Sequence, residues 1–202
     1  MDLSFNNASY RNCFWNFEKY INLDSALNYY CIMNVLLMTD NAINNVYLVS
    51  YDGDYWYISF YDMDISWGGT NKQNKLFDYT RDLNKEIRES RLWDRFEVAY
   101  SKEIKERYKE LRKKYLSKDY LLDRYYEYLD KIPEDALKRE NEKWNNEVQY
   151  DKHYIDDFMD NRLKMLDKKI DHLGYSSRLI IISIYVFVLL MLGWVLLNVK
   201  KG

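Results

Sequence analysis

The stretch that decides the fold is "MTDNAINNVYLVSYDGDYWYISFYDMDISWGG", residues 38–69. It contains two runs rich in β-branched and aromatic residues, and Asp52-Gly53 between them is typical of a tight turn between antiparallel strands. We therefore predict one β-hairpin near residues 46–61. Because a hairpin brings its two ends together, we expect the polar side chains at these ends to converge. They are Asp40, Asn45, Asp62 and Asp64.

The composition is that of a globular, mainly helical protein. The 202 residues are 48% hydrophobic and 31% charged, with a net charge of -2, so no nucleic-acid partner is expected. One proline and six glycines favour long helices over a loop-rich β fold. The two cysteines do not have the spacing of a zinc site, and Cys31 lies in an apolar helical run, where a buried thiol is expected.

A helix is predicted before the hairpin. The apolar residues of "ALNYYCIMNVLLM", residues 26–38, cover most of a helix surface, which is typical of a buried helix. Asp24 or Ser25 is expected to cap its N-terminus, since both residue types accept hydrogen bonds from the first helical amides. This helix would lead directly to Asp40.

Four further helices are predicted after a polar connection over about residues 71–91. Ser101 precedes the first, Ser117 caps the second, Pro133 suits the first turn of the third, and Gly174 ends the fourth. The third is expected to end near Trp144. The fourth carries, at helical spacing, Ile155, Phe158, Met159, Arg162, Leu166 and Ile170.

The C-terminal segment Leu179–Val199, "LIIISIYVFVLLMLGWVLLNV", has no ionisable side chain except Tyr185. At about 1.5 Å per residue, a helix of this length spans a hydrocarbon core about 30 Å thick. We predict a single transmembrane helix here, with residues 175–178 as a linker and 200–202 as a basic tail. A buried core helix is the alternative.

The positive charges around this segment predict its orientation. Four lie on the domain side and two on the far side, which favours a cytoplasmic domain in a chain anchored by its tail. The N-terminus has neither the basic nor the apolar region of a signal peptide, in agreement with that orientation. The charges are Lys164, Lys168, Lys169 and Arg178 against Lys200 and Lys201.

The polar residues at the hairpin have the order found in protein kinases. An aspartate, an asparagine five positions later, a hairpin and a further aspartate are the parts of a phosphoryl-transfer site. In such a site the first aspartate accepts the proton of the attacking hydroxyl, and the amide and the later carboxylate hold magnesium against the phosphates. Capping and turn chemistry is the competing interpretation, because Asp and Asn are common in turns.

The stretch from Tyr20 to Gly69 resembles the spore-coat CotH kinase family. That family has an aspartate-serine helix start, a D-x4-N loop and a D-x-D element ending in an aromatic-glycine pair. Residues 92–117 and 158–170 also resemble the helical end of the family. The resemblance extends over roughly Phe14 to Leu173, and its specific motifs lie within about residues 24–69.

The resemblance implies a protein-kinase-like C-terminal lobe over residues 1–174 that uses Mg and ATP to phosphorylate a protein hydroxyl. Asp40 would be the catalytic aspartate, and Asn45 and Asp62 would bind the magnesium-nucleotide. Asp64 would be a further metal ligand, with Asp62 favoured as the main one. Tyr61 stands where the family usually has tryptophan and keeps an aromatic wall.

The sequence departs from the family in one respect. Family members carry a β-rich N-terminal lobe with a phosphate-binding lysine, whereas only 23 residues precede Asp24 here. Gly53, Gly68 and Gly69 do not form a glycine-rich phosphate loop either. This departure supports an alternative function, a catalytically inactive, membrane-anchored binding or scaffold module from a truncated or split protein. A partner chain that supplies the missing lobe would instead complete the pocket.

Overall fold

A computed structural model describes residues 17–69, 79–83, 92–143, 152–174, 185–189 and 191 of the chain. Within these ranges the protein is mainly helical, with one two-stranded antiparallel sheet, which confirms that part of the predicted fold. The elements are α1 (Leu23–Val35), a 3₁₀ helix (Asp40–Ala42), β1 (Val46–Ser50), β2 (Trp56–Phe60), α2 (Leu92–Ala99), α3 (Ser101–Arg112), α4 (Lys118–Leu129), α5 (Glu134–Lys143) and α6 (Lys152–Asp171).

Helix α1 is buried, as predicted, but its cap is not the predicted residue. Asn22, rather than Asp24 or Ser25, caps the helix, since its side-chain oxygen accepts a hydrogen bond from Ser25 N at 2.8 Å. Asp24 lies in the first turn, where its negative charge interacts favourably with the positive end of the helix dipole. The Ser25 hydroxyl instead accepts from Ile58 N at 3.1 Å, which attaches β2 to the helix.

The C-terminal end of α1 comes three residues before the end of the apolar run. Leu37 has a φ of 51°, in the left-handed region. Met38 N donates to Met33 O at 3.0 Å, and Leu37 N donates to Asn34 O at 3.4 Å. These are the two bonds of a Schellman motif, here formed without glycine. The motif turns the chain sharply, so that Asp40 begins a new short helix beside the end of α1.

The hairpin packs one face against α1. Its register pairs Val46 with Phe60 and Ser50 with Trp56, and a turn at Asp52-Gly53 joins the strands as predicted. The inner face contacts the helix through Ile58, which is buried, and through Phe60, whose ring stacks on Tyr29 at 4.3 Å. The outer face leaves exposed side chains: Tyr47, Val49 and Tyr57.

Helix α6 forms the opposite side of the core. All six residues noted in its sequence at helical spacing are buried, including Arg162. Gly174 follows the helix with a φ of 79°, in keeping with its predicted role as a stop. Ser117 caps α4 as predicted, since its hydroxyl accepts from Tyr120 N at 3.2 Å. Cys31 is buried in the core, which raises the pKa of its thiol to about 12 and confirms the predicted buried thiol.

Most of the predicted membrane segment, residues 179–199, lies outside the described residues, as do the linker 175–178 and the tail 200–202. Residues 185–189 and 191 are helical, and their side chains are exposed. Among the described residues, no helix has both the length and the apolar character that crossing a membrane requires.

Candidate functional site

Asp40 is the first residue of the 3₁₀ helix and the centre of a tight loop. Its main-chain oxygen accepts hydrogen bonds from Ile43 N, Asn44 N and Asn45 N at 2.9–3.3 Å. Its carboxylate is held as well, because Oδ1 accepts from Asn44 Nδ2 at 2.6 Å and Oδ2 from Asn45 Nδ2 at 2.8 Å. Asp40 is therefore fixed in orientation by two side-chain amides that follow it in the same loop.

Asn45 connects the two ends of the hairpin. Its Nδ2 contacts Asp40 Oδ2 at 2.8 Å and also the main-chain oxygen of Asp62 at 3.3 Å. The structure thus brings together Asp40, Asn45 and the main chain of Asp62. Since Nδ2 makes both contacts, Oδ1 is the atom of Asn45 that is left for a metal ion. The catalytic and metal-binding roles of these residues stay predictions.

Asp62 and Asp64 lie on the loop that leaves β2, and both are exposed. Asp62 has a φ of 47°, a left-handed conformation that aspartate tolerates better than most residues. One carboxylate oxygen of Asp64 accepts from the adjacent Ile65 N at 2.8 Å. The main chain of Asp62 is therefore bonded to Asn45, while a carboxylate oxygen of Asp64 is engaged with the adjacent backbone amide.

The other end of this loop is anchored at Trp67 and Gly68. Trp67 N donates to Leu36 O at 2.7 Å, and the Tyr154 hydroxyl donates to Trp67 O at 3.2 Å. Trp67 and Gly68 both have positive φ, 55° and 79°. A loop fixed between the end of α1 and helix α6 holds the aspartates at a defined position.

Gly68 provides a test of this anchoring. A Cβ at this position would lie 2.5 Å from the Tyr154 hydroxyl and 2.8 Å from a Phe158 ring carbon. Gly68→Ala is therefore expected to destabilise the fold by about 2–4 kcal/mol, from the left-handed backbone and the clash together. Chemical denaturation measures this change in the free energy of unfolding.

Gly53 is the matched control for that substitution. It also has a positive φ, 83°, but a Cβ there would meet no atom within 4 Å. Gly53→Ala is expected to lower stability by only about 1 kcal/mol, the backbone cost alone. Equal losses for the two variants would contradict the close packing of the loop against α6.

Three residues that sequence reasoning did not assign to the site support it. Asn44 binds the Asp40 carboxylate, as described above. Asn41 is fully buried, and its Nδ2 donates to Tyr61 O at 2.7 Å. The Tyr29 hydroxyl donates to Asn41 O at 2.7 Å. Burial raises the pKa of Tyr29 to about 12, so its hydroxyl stays protonated and acts as a hydrogen-bond donor. The only signal for them in the sequence was the asparagine that follows Asp40, and asparagine is common in turns, so the signal was not specific.

The donor set fits a magnesium ion that arrives on a nucleotide. Magnesium takes six oxygen ligands but usually keeps several waters and needs only one or two carboxylates beside substrate phosphates. Asn45 Oδ1 and the exposed Asp62 carboxylate match that demand. Within the described part of the chain, no group of three or more His, Cys, Asp or Glu side chains could hold a metal ion by itself.

The aromatic wall predicted at Tyr61 is a pair of rings. Tyr61 and Tyr47 have ring centroids 4.4 Å apart and are 53% and 49% exposed. Both stand on the hairpin next to the polar residues, Tyr61 directly before Asp62. An open aromatic surface therefore borders the carboxylates.

One of three comparisons with known proteins gave a match. The family model of the CotH kinase protein matches residues 2–166. Neither curated proteins nor solved structures gave a match. The matched range includes every polar residue of the candidate site and most of α6, far more than half of the 202 residues. The chain belongs to the CotH kinase family, and its function is kinase-like at that level.

Proposed function

We propose that this protein binds ATP with magnesium at the ends of its hairpin and transfers the γ-phosphoryl group to a protein hydroxyl. The observation that carries the proposal is the side-chain amide of Asn45, bonded to both the Asp40 carboxylate and the Asp62 main chain. A base and a metal ligand that are to act on one phosphoryl group must be held close together. Asn45 links the Asp40 carboxylate to the main chain of Asp62 and so keeps the two residues close together.

Each residue has a separate role in this proposal. Asp40 accepts the proton of the attacking hydroxyl, and the amides of Asn44 and Asn45 fix the orientation of its carboxylate. Asn45 Oδ1 and Asp62 would hold the magnesium, with Asp64 as a further ligand through the carboxylate oxygen that does not accept from Ile65 N. Magnesium, when bound, neutralises charge on the phosphate oxygens.

A second candidate function is a binding or scaffold module without turnover. It is favoured by the surroundings of the glycines, because phosphate loops need glycine backbone open to the ligand. Gly68 packs against α6, and Gly53 lies at the turn, the opposite end of the hairpin from Asp40 and Asp62, so neither offers such a surface at the candidate site. If a partner chain with a phosphate-binding lobe restored transfer, the chain would be one part of a split kinase and not an inactive module.

A transfer assay separates the two functions. The full chain is incubated with magnesium and γ-labelled ATP, with a mixture of unfolded proteins as acceptors. Labelled protein that depends on both magnesium and the chain would support the kinase. Nucleotide binding without label transfer would support the scaffold, and the absence of both binding and transfer would contradict the proposed site.

Membrane anchorage through residues 179–199 is part of the proposal, with the kinase-like lobe on the cytoplasmic side. The described residues of this segment support it, because apolar side chains such as Phe187 and Leu189, 64% and 67% exposed, do not pack in the core. Protease added to intact cells should leave the lobe whole. Digestion of the lobe while cytoplasmic markers survive would show that the lobe lies on the outer side of the membrane.

A further inference from the structure

The peptide groups on both sides of the Asp62 Cα are held by side-chain amides. The carbonyl of Tyr61, which precedes it, accepts from Asn41 Nδ2 at 2.7 Å. The carbonyl of Asp62 itself accepts from Asn45 Nδ2 at 3.3 Å. Asp62 keeps a left-handed φ of 47° between these two bonds. Its backbone, and with it the direction of its carboxylate, depends on where the loop places the two asparagines.

The Tyr29 hydroxyl contacts the main chains of both asparagines from inside the core. It lies 2.7 Å from Asn41 O and 3.4 Å from Asn45 O. The ring has little freedom, because it stacks between Phe60 at 4.3 Å and Trp93 at 5.5 Å. A rigid hydroxyl on helix α1 therefore ties together the main chains of the two residues whose amides hold Asp62.

We infer that Tyr29 is a positioning residue: through Asn41 and Asn45 its hydroxyl sets how Asp62 meets a magnesium-nucleotide. The magnesium part of this inference rests on the proposed function, whereas the placement of the loop does not. Because Tyr29 is buried in the core, it would touch neither the nucleotide nor the metal. Its effect passes entirely through the two asparagines and the carbonyls that they hold.

Tyr30 offers a matched control at the next position. It is equally buried, its ring also contacts Trp93, and its hydroxyl donates to Glu97. Tyr29→Phe and Tyr30→Phe each remove one buried hydroxyl and keep the ring. A merely structural role predicts similar effects of the two variants, whereas a positioning role predicts a local effect of Tyr29→Phe.

Hydrogen exchange of the full chain without nucleotide gives the first readout. Tyr29→Phe is expected to speed exchange about twofold to tenfold at residues 43–45, whose amides bind Asp40 O, and across residues 61–65. Tyr30→Phe should leave both segments unchanged. Equal exchange in the two variants would overturn the inference, whether or not the chain binds ATP. Asn41→Ala, which removes the donor to Tyr61 O, should reproduce the Tyr29→Phe pattern.

The affinity for ATP with and without magnesium gives the second readout. Tyr29→Phe is expected to weaken magnesium-ATP binding about twofold to tenfold and to leave metal-free ATP binding unchanged. Loss of both affinities to the same extent would contradict a role through Asp62. If the unaltered chain binds no ATP, the proposed function fails, and hydrogen exchange alone decides whether Tyr29 positions the loop.

Discussion

Asp40→Asn is expected to slow phosphoryl transfer about 100-fold to 10,000-fold while magnesium-ATP affinity changes by less than about threefold. The size of this effect is that of removing a general base, because an amide cannot accept the proton of the attacking hydroxyl. Asparagine keeps the shape of the side chain and one acceptor for the amides of Asn44 and Asn45. The measurement is the steady-state rate of transfer, with binding measured separately.

Asp54→Asn is the control for this substitution. Asp54 is an exposed aspartate in the same hairpin, at the turn rather than at the mouth. The Asp54→Asn variant should transfer the phosphoryl group at the rate of the unaltered chain. An Asp40→Asn variant that is folded and retains the full rate would show that Asp40 is not the base.

Arg162→Met is expected to lower the free energy of unfolding by about 3–5 kcal/mol. Arg162 is fully buried, and its Nε and Nη2 donate to Asn34 O at 2.8 and 2.6 Å. Its Nη1 donates to Tyr79 O at 2.8 Å and also to Arg81 O. Methionine fills similar space but donates nothing, so three carbonyls on two segments lose a charged donor.

Loss of the Arg162 guanidinium should also loosen the loop of Asp40. Its acceptor Asn34 O is in the last turn of α1, immediately before that loop. Arg139→Met in α5 is the control, since Arg139 pairs with Asp135 on an exposed helix. That variant should stay within about 0.5 kcal/mol of the unaltered chain. Chemical denaturation of the full chain measures both. A similar small loss for Arg162→Met would mean that the buried guanidinium does not hold α6 to α1.

The elements that the sequence predicted well are those with local signals. The Asp52-Gly53 turn between the two β-rich runs predicted the hairpin, and closure of the hairpin brings Asn45, which is bonded to Asp40, to the main chain of Asp62. The end of α1 had no such signal. It depends on a left-handed Leu37, at a place where a sequence reader looks for glycine.

Contacts between residues far apart in the chain account for what sequence reasoning missed. Arg162 stands at helical spacing in the sequence of α6, but its acceptors Asn34, Tyr79 and Arg81 lie more than 80 residues away. Asn41 has the same local signature as any turn asparagine. Its importance follows from Tyr61 O, which only the folded hairpin brings within 2.7 Å.

The magnesium-nucleotide site is tested most directly by calorimetric titration of the full chain with magnesium-ATP, before and after Asp62→Ala. We predict that the unaltered chain binds and that Asp62→Ala weakens this binding at least about tenfold, as expected for loss of a metal ligand. Asp54→Ala at the hairpin turn should bind like the unaltered chain, and metal-free ATP should not distinguish the three. Equal magnesium-ATP affinity of Asp62→Ala and the unaltered chain, or no binding by either, would contradict a site at the ends of the hairpin.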